Sequence, residues 1–167
     1  MIGIETRRRV ASIARAALEN EAEILTADAR GTAMPRAHTV LLFDVLHLMP
    51  AADQEALLAA LVTSLEAGGV LVIRDADASA GWRFAAVRIG NRLKAFAIGR
   101  WRQDFHFRSS ADWLACFSKL GLSADVHPMG AGTPFGNVLF RVTAKEAALH
   151  APAPAAPAPT SRRAPVA

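Results

Sequence analysis

Four short apolar runs, each followed at once or within two residues by an acid, constrain this chain more than any other feature. Ile2 to Ile4 leads into Glu5, Glu23 to Thr26 into Asp28, Thr39 to Phe43 into Asp44, and Val70 to Ile73 into Asp75. Continuous apolar runs this short suit parallel strands covered on both faces. Helical spacing fills the intervals. Val10, Ile13, Ala14, Ala17 and Leu18 form one apolar set, and Leu57, Leu58, Leu61, Val62 and Leu65 form another. Pro50 suits the opening turn of the second helix, and Gly68-Gly69 is expected to stop it. Ser109 or Ser110 can cap a further helix with Trp113, Phe117 and Leu120 inward and Gly121 at its end. Leu122 to Val126 and Val138 to Val142 are joined by a Gly/Pro loop and are expected to pair antiparallel.

Strand and helix alternating in this way predict an α/β fold, with one sheet of six strands and helices on both faces. The last strand should run against the others. Ligands of such sheets sit at the carboxyl ends of the strands, near the switch in strand order. Glu5, Asp28, Asp44 and Asp75 are therefore the first candidates for a site.

Composition narrows the class. Just over half of the 167 residues are apolar, and no apolar stretch approaches the roughly 20 residues of a membrane helix. A soluble, cytoplasmic protein is expected. The single cysteine, Cys116, excludes an internal disulfide and a cysteine zinc cage. The five histidines are scattered without ligand spacing, so no metal site is expected. A net charge of +4 invites a nucleic-acid partner, but the arginines fall in separate groups at residues 7–9, 88–102 and 162–163. The expected domain spans 1–146. An Ala/Pro-rich tail at 147–167 cannot bury enough apolar surface to fold.

At this point the residues resemble a known family. The segment LLFDVLHLMPAADQEALLAALVTSLEAGGVLVIRDAD is similar to the second half of the Rossmann-like (class I) S-adenosylmethionine-dependent methyltransferase domain. Upstream, Ile2-Gly3-Ile4-Glu5 resembles that family's second strand, and Ala27-Asp28 resembles the acid after its third. Downstream, Thr133-Pro134-Phe135-Gly136-Asn137-Val138-Leu139 resembles the turn into its closing antiparallel strand. The likeness covers roughly residues 1 to 144. It implies S-adenosylmethionine as cofactor, with Glu5 on the ribose hydroxyls, Asp28 and Ala29 on the adenine side, and Phe43 and Asp44 in the adenine pocket. It also implies that the chain begins one strand late, without the family's first strand and glycine-rich loop. The short chain should then bind the cofactor poorly and present strand edges open to self-association.

The acceptor side is read from the segment between strand and helix. His47 lies three residues after Asp44, so both can face the cleft, and a histidine there can take a proton from an acceptor hydroxyl. Asp75 and Asp77 are candidates for the substrate side. A helical lid is expected over about 80–108, where Trp82, Phe84, Val87, Ile89, Leu93, Phe96 and Ile98 alternate with Arg83, Arg88, Arg92 and Lys94. Trp82, Trp101, Arg102, His106 and Phe107 are candidates for substrate contact. Each candidate also has a plain reading, as a strand-end acid, a helix cap or a packed aromatic. The expected function is methyl transfer to a small-molecule acceptor. A nucleic-acid methyltransferase and a non-catalytic remnant are the alternatives.

Overall fold

The computed structural model describes residues 1–100 and 102–144. The tail expected from residue 147 and the candidate Trp101 lie outside the described residues. Strand β1 (Ile2–Glu5) leads into helix α1 (Arg8–Leu18) and then strand β2 (Glu23–Thr26). Strand β3 (Ala37–Phe43) passes through a 3-10 turn at Leu46–Leu48 into helix α2 (Ala51–Ser64). Strand β4 (Leu65–Ala76), helix α3 (Trp82–Ala97), helix α4 (Ser110–Lys119) and strands β5 (Leu122–Pro128) and β6 (Asn137–Ala144) complete the chain.

The six expected strands are all present, but they form two sheets rather than one. β1 and β2 pair in parallel, and a second sheet has the order β3-β4-β6-β5. β3 and β4 are parallel, while β6 runs antiparallel to both β4 and β5. β1 and β3 are not hydrogen-bonded to each other. The break falls where the family resemblance places a further strand, between β1 and β3.

The main core lies between the four-stranded sheet and helices α2 and α4. Trp113, Phe117 and Phe140 are fully buried and pack ring on ring, at centroid separations of 5.8 and 5.4 Å. Each such ring withdrawn from water contributes on the order of 1.5–3 kcal/mol. Leu57, Leu58 and Leu61 supply the α2 stripe, as the spacing requires. Ser109 is the cap of α4 and shares a reciprocal capping box with Asp112. Gly121, at φ 72°, ends that helix in the left-handed conformation glycine allows.

Two local expectations are corrected. Helix α2 ends at Ser64, before the glycine pair, where the Thr63 and Ser64 hydroxyls each donate 2.8 Å bonds to carbonyls of the last turn, Ala60 and Leu61. Gly68-Gly69 instead lies inside β4. Ala37 pairs with Leu65 and Thr39 with Val70, so residues 66–69 stand opposite the single residue His38. A Cβ on Gly69 would lie 2.9 Å from the Glu66 carbonyl oxygen and 3.0 Å from that of His38, so the bulge requires glycine there. In α1, Ala11, with Ala14 and Leu18, faces Ala22 and Ile24, while Ile13 is 60% exposed. Two strands cover only a narrow face, and a small residue fits it best.

Candidate functional site

The carboxyl ends of the parallel strands carry the four acids. Each is already engaged by a group of the same chain. Glu5, the last residue of β1, takes Arg7 on both oxygens, at 2.9 Å from Nε and from Nη2, and its Oε1 also accepts the Arg7 backbone N–H at 2.8 Å. The Arg7 side chain holds the Glu5 carboxyl down at about 2, against the opposing push of partial burial. Asp28 is gripped in the same i+2 fashion by Arg30, whose hydrogen bonds lower its pKa. Arg30 also reaches Asp53 on α2 at 3.1 Å. That bridge puts the end of β2 on the same side of the molecule as the end of β3. Ala29 packs half-buried against the main core.

Asp44 follows β3 in the left-handed region, at φ 56°. Its carboxylate is paired with Arg74 of β4, whose guanidinium also lies 5.6 Å above the Phe43 ring. The sharp turn at Asp44 sends the chain into the 3-10 turn that carries His47. His47 and Asp75 are then brought together in the interior, 5% and 1% exposed. His47 Nδ1 lies 2.7 Å from Asp75 Oδ1, and the His47 backbone N–H donates to Oδ2 at 3.1 Å. The Ala76 backbone N–H donates to Oδ1 at 2.8 Å. Both Asp75 oxygens thus receive backbone donors, so Nδ1 carries the proton it shares and Nε2 is left as an acceptor.

Asp75, expected on the substrate side, is buried at 1% exposure and bonded to His47. Nε2 is differently placed. Among the described residues Trp113 Nε1 is the only buried side-chain nitrogen or oxygen without a hydrogen bond. No described residue makes a hydrogen bond to His47 Nε2. Phe107 stacks on the imidazole at 4.7 Å and Phe105 lies 6.0 Å away.

Gln54 holds this arrangement. Fully buried, it donates from Nε2 to the carbonyls of Leu46, Met49 and His106 at 3.0, 3.1 and 2.8 Å, and its Oε1 accepts from Arg108 at 2.7 Å. The His106 backbone N–H in turn donates to the His47 carbonyl at 2.8 Å. Sequence reasoning passed over Gln54, yet its phase was a signal. It sits one turn before Leu57 and Leu58 on the apolar stripe of α2. Gln54→Ala should strip donors from three carbonyls and cost about 2–4 kcal/mol, read as a lower urea midpoint. A change below about 0.5 kcal/mol would mean that water replaces the amide.

The lid candidates separate. Arg102 and His106 line a shallow depression of about 450 Å³ with Arg100 and Asp104. Trp82 is not with them. It stands 66% exposed, with the Arg83 guanidinium 5.5 Å over its ring. The lid helix itself turns Ile89, Leu93 and Phe96 to solvent and buries only Ala95. Asp77 is a structural acid. Burial pushes its carboxyl up, but hydrogen bonds from Ser110 and Ser79 outweigh this and lower it, tying the end of β4 to the start of α4.

No protein-family model matches the chain, and no curated protein sequence does. Solved structures match well. The mitomycin 7-O-methyltransferase MmcR superposes with a TM-score of 0.66 at 23% identity, over 86% of this chain and 41% of its own. NcsB1, an O-methyltransferase from neocarzinostatin biosynthesis solved with S-adenosylmethionine and 2-hydroxy-5-methyl naphthoic acid, gives 0.63 at 19% identity over the same shares. The fold is that of the class I methyltransferases. This methyltransferase fold is not tied to one chemistry. A protein described as a pericyclic reaction enzyme matches at 0.63 and 19% identity, over 87% of this chain and 36% of its own. The chain spans about two fifths of the length of these structures.

Proposed function

We propose that this chain forms the catalytic side of a methyltransferase that moves a methyl group from S-adenosylmethionine to a hydroxyl of a small molecule. The observation that carries this reading is the buried His47–Asp75 pair, with no described residue bonded to Nε2 and the Phe105 and Phe107 rings beside the imidazole. A charged nucleic acid would need a continuous basic track, and the strand-end acids oppose one.

The acids fit the cofactor. Glu5 stays ionised at neutral pH, and among the described residues its Oε2 receives one donor, Arg7 Nη2, so a lone pair remains for ribose hydroxyls. Asp28 and Ala29 would stand on the adenine side, and Phe43 and Asp44 at the adenine pocket. S-adenosylmethionine, when bound, supplies a methyl group already activated on a sulfonium. The residues of this chain then have to orient the acceptor and accept its proton. His47 Nε2 would accept the proton of the acceptor hydroxyl as that oxygen is methylated. Asp75 fixes the imidazole tautomer and stabilises the imidazolium that results.

Calorimetric titration with S-adenosylmethionine tests the cofactor side. In a version extended upstream by the family's first strand and loop, Glu5→Ala should weaken binding by about 1–3 kcal/mol, through loss of charge-assisted hydrogen bonds. Equal affinity of the variant and the parent would remove Glu5 from the cofactor site.

A further inference from the structure

Beside the His47 pair lies a second cavity, of about 540 Å³, whose walls differ from the rest of the surface. Phe84, Phe105 and Phe107 line it, with Arg88 and Arg92 from α3 and Asp104 opposite. Phe105 and Phe107 are near-parallel, 6.0 Å apart with 21° between planes, and Phe84 meets Phe107 edge-on at 5.2 Å. At that spacing no third ring fits between them, and the three rings together form an apolar wall against which a flat body can lie. Arg88 and Arg92 are one helical turn apart on the same face of α3. Arg92 donates from Nη1 to the Gln103 carbonyl at 3.1 Å, which fixes its position and leaves its other N–H donors free. Arg88 has no hydrogen-bond or ion-pair partner among the described residues. Asp104 is the only acid in the lining, so the cationic groups outnumber it two to one.

We propose that this cavity is a binding subsite that selects a planar aromatic acid, with the ring against the phenylalanine wall and the carboxylate on Arg88 and Arg92. A guanidinium pair offers paired N–H donors to a carboxylate, which a neutral ligand cannot exploit. Phe107 also stacks on the imidazole of His47, which puts the cavity next to the proposed base, so a hydroxyl on the bound ring would be the methylated group. This last step, and only this one, rests on the methyl-transfer reading.

The test uses the full chain and a matched pair of probes, 4-hydroxyquinoline-2-carboxylate and its 2-carboxamide, in calorimetric titrations without cofactor. The carboxylate should bind about tenfold more tightly, the scale of one charge-assisted pair. An R88Q/R92Q double variant should abolish the preference, and D104N should increase it. Both arginines are exposed, so the variant should keep the parent circular dichroism spectrum. Equal affinities, no binding of either probe, or a preference that survives in the double variant would overturn the subsite. Methyl transfer is then measured separately by mass spectrometry with S-adenosylmethionine added. If the carboxylate binds preferentially but is never methylated, the subsite stands and the methyl-transfer reading falls. If 4-hydroxyquinoline is methylated as fast as the acid and the double variant is unimpaired, the subsite falls and methyl transfer stands.

Discussion

His47→Gln should lower the rate of methyl transfer by about 10²–10⁴-fold, the range a positioned general base contributes. The side chain does not contact the strand-end acids Glu5 and Asp28, so cofactor affinity should be unchanged. These readouts separate a base from a packing residue. A fall of less than tenfold would leave His47 as a core histidine stacked on Phe107.

Asp75→Ala should have the largest effect on stability, about 3–5 kcal/mol, because breaking one side of a buried pair leaves its partner uncompensated. Three donors lose their acceptor at once: His47 Nδ1, the His47 N–H and the Ala76 N–H. None of them is in the open, since the site is 1% exposed at Asp75. Asp75→Asn keeps the volume and one acceptor oxygen, so its cost should be smaller. Urea denaturation of the two variants measures the difference. If Asp75→Ala cost under 1 kcal/mol, water would have to enter the space, and His47 would then lack the fixed orientation a base needs.

These residues also show where the sequence was legible. Strands β1 to β4 stood out because each is a compact apolar run closed by an acid, and a strand end fixes where its next side chain goes. Ser109, Trp113 and Phe117 were readable from capping and helical phase. What the acids touch was harder. Arg7 and Arg30 follow their acids by two residues, a spacing that permits the grip seen, but nothing in the string separates a paired arginine from a solvated one. Arg74 meets Asp44 only because β3 and β4 lie in register, with Phe43 opposite Arg74. Phe105 and Phe107 sit in irregular chain with no period to read, and the bonds from Gln54 to distant carbonyls place them. The absence of pairing between β1 and β3 depends on what lies between strands, which no local pattern records.

That same break divides the molecule into two cores. Ala11, Ala22 and Ile24 form one, and the four-stranded sheet with α2 and α4 forms the other. Packing by Ala29 and Met34 and the exposed Arg30–Asp53 bridge connect them, and a bridge of that kind contributes roughly 0–1 kcal/mol. Glu5 and Asp28 belong to the smaller part, Asp44 and His47 to the larger. A molecule held by all four therefore acts as a tie-bar. Part of its binding energy is spent holding the two cores in register, so occupancy and thermal resistance should rise together as its concentration rises.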